Sequence, residues 1–298
     1  MNAAPPVVFI HGLWLHATSW GPWLEHFRNA GYSATAPGWP GIPDSVEEAR
    51  KHPEAIAGHG IDDVIEHYTA VLAELPEKPI LIGHSFGGLF AQKLLGRDLA
   101  VAAVAIDAAQ FKGVLPVPLS TLRATFPVFK NPANSRKAVS LTAAQFRYAF
   151  GNAIPAAESD DLYHRWAIPG PGKPLFEAAS ANIARHSAAS VNTANHTRGP
   201  LLLVMGGRDH TVPEAITKSA AKRHRQSNAV TDLHEFSDRG HSLTIDSGWR
   251  EVADVALNWL VSQNLGAGAT PAPAVPPARA ETSQVTEKAV DAGPGDAP

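Results

Sequence analysis

A short apolar run, Pro79-Ile80-Leu81-Ile82, breaks directly into Gly83-His84-Ser85-Phe86-Gly87-Gly88, and Leu89, Phe90, Leu94 and Leu95 then recur at helical spacing. Few patterns constrain a chain more. A serine with glycine two residues before and two after it, set between a strand and a helix, fits a sharp elbow. Side chains at the glycine positions would collide in so tight a turn, and the elbow lifts the serine hydroxyl clear of the sheet edge. The five-residue pattern is common in isolation; the strand before it and the helix after it are what make it informative.

The remaining segments supply a sheet for such an elbow. Val7 to Ile10 reads as a buried parallel strand closed by His11-Gly12. Thr18 or Ser19 is expected to cap a helix that carries Trp20, Trp23, Leu24 and Phe27 and ends near Gly31. Tyr32 to Ala36 reads as the next strand, stopped by Pro37-Gly38-Trp39-Pro40-Gly41, and a helix is expected from Gly60 to about Leu75. Further strands are expected at Val101 to Ile106, Leu201 to Met205 and, more weakly, Thr231 to Phe236, with helices over 214–223 and 249–260. Strands alternating with amphipathic helices define the α/β class, a mostly parallel sheet with helices on both faces.

After Asp107 the alternation stops. Residues 112–196 are proline-rich and contain helical stretches, Thr142 to Phe150 and Ser159 to Trp166, but no strong strand. So long a segment is no ordinary connection and reads as an inserted helical lid. The expected organisation is a core of 1–111 and 197–262, a lid of 112–196, and a tail of 263–298. The tail is rich in Ala, Pro and Gly and is expected to be disordered, because it has too little to bury.

The chain has no cysteine, so disulfides, thiolate nucleophiles and cysteine-held metals are excluded. Lys plus Arg total 25 against 28 Asp plus Glu, a formal charge of −3, which provides no general field for nucleic acid or an anionic membrane. No local basic patch stands out on that reading. There is no apolar run of the roughly 18 residues a membrane span needs and no signal-peptide pattern at the start, so the expected location is cytoplasmic. Nothing in the sequence reports an oligomeric state.

A serine hydroxyl needs a base to take its proton and an acid to orient that base. His241 lies in the polar turn Asp238-Arg239-Gly240-His241-Ser242, and Asp209 follows the Leu201–Met205 strand in Gly206-Gly207-Arg208-Asp209-His210. Both stand past the carboxyl ends of strands, where an open α/β sheet places its ligands. The order Ser85, Asp209, His241 is the one expected of a serine elbow in this architecture. Asp107, which also follows a buried strand, is the alternative acid. A tetrahedral intermediate needs preorganised donors for its oxyanion. The backbone N–H groups expected to supply them are those of Phe86 and Leu13, with Trp14 shaping the pocket wall.

On these residues the chain resembles the α/β-hydrolase superfamily. The resemblance covers roughly 7–262 and rests on the His11-Gly12 turn, the Gly83–Gly88 elbow, Asp209 and His241. It implies an eight-stranded type of core with a lid after the sixth strand, beginning around Lys112. It also carries the roles of nucleophile, acid and base onto Ser85, Asp209 and His241. The chain lacks the two-stranded hairpin that many relatives have before the His-Gly turn. In this shortened N-terminus it is similar to small esterases and to the plant esterase and hydroxynitrile lyase group. Ser242 stands where the lyases have a lysine, which argues against cyanohydrin cleavage. Epoxide- and halide-cleaving relatives carry aspartate at the elbow, so Ser85 argues against both activities.

Aromatic residues concentrate in or beside the lid: Phe111, Phe126, Phe129, Phe146, Tyr148, Phe150, Tyr163, Trp166 and Phe176. Trp14 and Phe111 are the expected pocket residues, in a site for a small to medium, mostly apolar ester. His11, His84 and His241 form no compact ligand set with acids, so no metal and no cofactor is expected. The sequence does not separate ester from amide or lactone hydrolysis. A non-catalytic binding protein on the same scaffold would be expected to lose a triad residue, and none is lost.

Overall fold

The computed structural model describes residues 4–266. The chain enters strand β1 (Val7–Ile10), passes through a 3-10 turn into helix α1 (Gly21–Asn29), and returns by the two-residue β2 (Ala34–Thr35). Helices α2 (Val46–Lys51) and α3 (Ile61–Ala73) precede β3 (Ile80–His84), α4 (Phe86–Gly96) and β4 (Ala102–Ile106). After the insertion come β7 (Leu201–Gly206), α9 (Glu214–His224), β8 (Thr231–Phe236) and α10 (Trp249–Ser262). The sheet has six strands in the order β2-β1-β3-β4-β7-β8, and every pairing within it is parallel. The eight-stranded core implied by the resemblance is therefore two strands larger than the sheet found among the described residues. Nothing described precedes β1 to pair beyond it.

Strand alternation assigns the two faces. Val8 and Ile10 pack with α3, α4 and α9, while Val7 and Phe9 pack with α1 and α10. On the second face Phe9 meets Trp20, Trp23 and Phe27 with ring centroids 5.0, 5.9 and 5.2 Å away. Full burial of each such ring contributes on the order of 2–3 kcal/mol. The central strands β1, β3, β4 and β7 are buried throughout, as parallel strands covered on both faces must be. β8 at the edge is half open, which accounts for its weak apolar pattern.

The insertion between β4 and β7 holds α5 (Leu119–Phe129), α6 (Ala143–Ala149), α7 (Ala156–Trp166) and α8 (Lys173–Ser180). It also holds a two-residue antiparallel ladder, β5 (Ala138–Val139) with β6 (Gly170–Pro171). It is stitched to the core by backbone and side-chain bonds. Trp14 Nε1 donates to Val139 O at 2.9 Å, Ser242 N to Phe150 O at 3.2 Å, and Ile61 N to Glu177 Oε2 at 2.7 Å.

Three expectations shift. Neither Thr18 nor Ser19 caps α1: His16 caps the preceding 3-10 turn by accepting from Thr18 N, and α1 begins at Gly21-Pro22 without a side-chain cap. The Tyr32–Ala36 strand contracts to two residues. Helix α2 was not anticipated, although Ser45 caps it by accepting from Glu48 N. Residues 263–266 close the end of α10, where Tyr32 Oη donates to Leu265 O at 3.1 Å. The rest of the tail expected to be disordered lies outside the described residues. Among the described residues no helix is long and apolar enough to cross a membrane.

Candidate active site

The sheet order reverses between β1 and β3, and at such a point the loops leave in opposite directions and open a crevice. Ser85 sits there, between β3 and α4, at φ 56° and ψ −120°. Among the described residues five non-glycines have positive φ, and three of them, Trp14, Ser85 and Asp107, follow β1, β3 and β4. Each such residue costs on the order of 1–3 kcal/mol and persists only where its surroundings hold it. The surroundings here leave no room for relaxation. A Cβ on Gly83 would overlap the carbonyl of Gly87, and one on Gly87 would overlap that of Ile10. The loop after β1 crosses so close that a Cβ on Gly12 would lie 2.8 Å from Ser85 Cβ.

His241 is fully buried. Its Nδ1 lies 2.5 Å from Asp209 Oδ2, and the other oxygen of Asp209 accepts from Thr211 N at 2.6 Å and Val212 N at 2.8 Å. Those two backbone donors were not read from the sequence, and only the turn geometry reveals them. The loop that carries His241 is fixed in turn. Ser242 Oγ donates to Asp246 Oδ2 at 2.8 Å, Asp246 also pairs with Arg239, and His84 Nε2 lies 2.9 Å from His241 O. The rings of His84 and His241 are 4.6 Å apart, and the edge of Phe150 meets His241 at 4.8 Å. Burial, with the neighbouring His241 second, holds His84 well below the usual histidine range and so neutral. Nε2 of His241 is buried and makes no hydrogen bond to Ser85 or to any other described group. Such bonds are often long before substrate binds and tighten in the complex.

Asp107 reaches the same imidazole from β4 but more distantly, with Oδ2 4.0 Å from His241 Nδ1. Its Oδ1 accepts from Gly206 N at 2.8 Å. Burial first, and the adjacent Asp209 carboxylate second, push the Asp107 carboxyl well above the usual carboxylate range. Both causes favour the protonated form of this carboxyl. Asp107, Asp209 and His241 present ligand atoms within 4.8 Å of one another. The Nδ1 contact to Asp209 accounts for that closeness as a histidine held by a carboxylate. His11, which stacks on Trp39, is pushed down to about 3 by burial and stands apart from this cluster.

A cavity of about 250 Å³ opens beside Ser85. Leu13, Trp14 and Phe86 line it from the core, with Phe129, Phe150 and Leu175 among the lid residues that line it. Phe86 N–H belongs to the first turn of α4, where no intrahelical acceptor exists. Trp14 is among the residues that line the cavity. The ring of Phe111 packs on His224 at 5.7 Å, on the α9 side of the chain, and is not among those lining residues. Among the other lid aromatics, Phe146 stacks behind Phe150 at 4.7 Å and Phe126 points to solvent.

Residues 7–255 match the family profile described as the alpha/beta hydrolase family. The chain belongs to the α/β hydrolase family, a fold with a mostly parallel sheet flanked by helices and an inserted helical lid. No match was found among curated protein sequences. Similar solved structures include a monoacylglycerol lipase from Paleococcus ferrophilus, with a TM-score of 0.60 and 20% identity over 87% of this chain and 96% of that one. An extracellular α/β-hydrolase from a Paenibacillus species, described as sharing structural and functional homology with tobacco salicylic acid binding protein 2, has a TM-score of 0.62. It is 17% identical over 85% of this chain and 98% of that one. A pyrethroid hydrolase from Sphingobium faniae JZ-2 has a TM-score of 0.60 and 14% identity over 87% and 98% of the two chains. At these identities the likeness is one of fold.

Proposed function

We propose that this protein hydrolyses small to medium, mostly apolar carboxylic esters through an acyl-enzyme on Ser85. The observation that carries the reading is the buried His241–Asp209 pair, 2.5 Å apart, packed against His84 of the elbow whose Ser85 lines the cavity. Ser85 Oγ attacks the ester carbonyl while His241 Nε2 takes its proton. Asp209, bound to Nδ1, holds the imidazole in that tautomer and stabilises the imidazolium. The N–H groups of Leu13 and Phe86 receive the oxyanion. Collapse passes the His241 proton to the leaving alkoxide, which departs as the alcohol. Water, deprotonated by the same imidazole, then cleaves the acyl-enzyme and releases the acid and Ser85.

Asp209 rather than Asp107 takes the orienting role in this reading. Asp209 has the short contact to Nδ1, whereas Asp107 is 4.0 Å away and burial pushes its carboxyl above the usual range. The apolar character of the cavity supports an uncharged acyl or alcohol group. The similar structures named as a lipase and a pyrethroid hydrolase agree with that choice.

The test is turnover of p-nitrophenyl esters of increasing acyl length by the native chain and by Ser85→Ala. We expect a short- to medium-chain optimum and a loss of roughly a thousandfold or more in the variant. Undiminished turnover by Ser85→Ala contradicts the reading. Absence of serine-dependent turnover across the panel transfers the case to amides, lactones or a binding role.

A further inference from the structure

The outer face of α5 has no part in the ester chemistry, and its composition is unusual for a surface in water. Of the eight large hydrophobic residues exposed among the described residues, five (Leu115, Val117, Leu119, Leu122 and Phe126) fall within the twelve positions from 115 to 126. Leu119 is 84% exposed and Phe126 61%. In 112–130 the only other exposed residues are Arg123 and Lys130. At about 100° per residue, Leu119, Leu122, Arg123 and Phe126 share one side of α5. Thr121, Ala124, Thr125 and Val128 are buried on the other. The stripe continues past the helix: Asn182 bonds Gly113 N and Val114 O, bringing the 88% exposed Ile183 beside that segment.

Charge in this part of the chain is one-signed. Between Asp107 and Glu158 there is no acidic residue, yet there are six cations, Lys112, Arg123, Lys130, Arg136, Lys137 and Arg147, in a chain of formal charge −3. Among the described residues only Arg147 of the six forms an ion pair, with Asp160.

We infer that this face docks on an anionic lipid–water interface, with α5 lying in the interface plane. Contiguous exposed apolar surface marks an interaction site, and an apolar stripe flanked by cations is the pattern of a helix held at an anionic lipid surface. A two-fold contact with a second copy would set this cationic segment against itself, so charge favours the anionic surface over self-association. Val117 and Leu122 belong both to the exposed stripe and to the cavity wall, so the docked face would border the cavity. The inference goes beyond the esterase reading and does not rest on it, because binding is measured without turnover.

The experiment is co-sedimentation of the full chain with vesicles of phosphatidylglycerol and phosphatidylcholine, against phosphatidylcholine alone, at low and at high salt. Expected is binding to the anionic vesicles that salt weakens. It should fall about tenfold in the Leu119→Ser/Phe126→Ser double variant and several-fold in Lys130→Glu. Circular dichroism should report an unchanged fold in both, since each replaced side chain is exposed. No vesicle binding, equal binding to neutral vesicles, or full binding by the variants overturns the inference. So does a concentration-dependent dimer in sedimentation velocity that the double variant abolishes, which assigns the face to a second copy.

Discussion

Two aspartates approach the imidazole of His241 from neighbouring strand ends, and their surroundings separate them. Asp209 receives two backbone N–H groups and the imidazole. Asp107 receives one N–H and is pushed above the usual range by burial and by its neighbour, because two adjacent buried carboxyls cannot both ionise cheaply. Asp209→Asn is therefore expected to lower kcat by about 10⁴-fold through loss of the correct tautomer. Asp107→Asn, at a carboxyl 4.0 Å from Nδ1 whose protonated form burial favours, should change it less than about tenfold. Equal losses in the two variants would reverse the assignment. The proton on Asp107 also has a sign in stability. A raised folded value means stability present below the unfolded value of about 4 and lost as pH rises toward the folded one. Urea midpoints of the native chain should thus fall more steeply than those of Asp107→Asn as pH rises above about 4. Parallel profiles would show that Asp107 does not carry the proton.

Among the elements, the elbow between β3 and α4 was readable because its demands are local. Gly83 and Gly87 leave no space for a Cβ, and that need shows directly in the sequence. Gly87→Ala is expected to destabilise the fold by about 3 kcal/mol or more, or to prevent soluble expression, since the contact is with the Ile10 backbone. A urea transition within about 1 kcal/mol of the native one would contradict the packing described. The long buried strands β1, β3, β4 and β7 were equally legible from their unbroken apolar runs. β2 and α2 were not, because two and six residues are too few for a period to emerge. The start of α1 moved because the local contest between His16, Thr18 and Pro22 is settled by packing rather than by cap preference. In the lid, which aromatic faces the cavity depends on tertiary placement. Phe150 turns inward and Phe111 turns toward His224, with nothing in their spacing to distinguish them.

Across the whole molecule, the sequence order of Ser85, Asp209 and His241 anticipated the strand ends on which they lie, because a parallel sheet sends all such loops to one edge. The basic segment from 108 to 157 was hidden by averaging: the chain total of −3 conceals a lid half without one acid. Burial data were needed to see that its cations border exposed leucines. The resulting division is between an inner end of strained backbone and buried acid–base pairs, and an outer end of apolar and cationic surface. Salt should act on the second and not on the first, so vesicle binding and the turnover of a dissolved ester should respond differently to ionic strength.

The central claim is that Ser85 is the nucleophile, and covalent labelling tests it most directly. The native chain would be treated with a fluorophosphonate, digested, and its adduct located by mass spectrometry. One adduct is expected, on the peptide containing Ser85, absent from Ser85→Ala and slowed in Asp209→Asn. An adduct on another residue, or no adduct on a chain that hydrolyses esters, would contradict it.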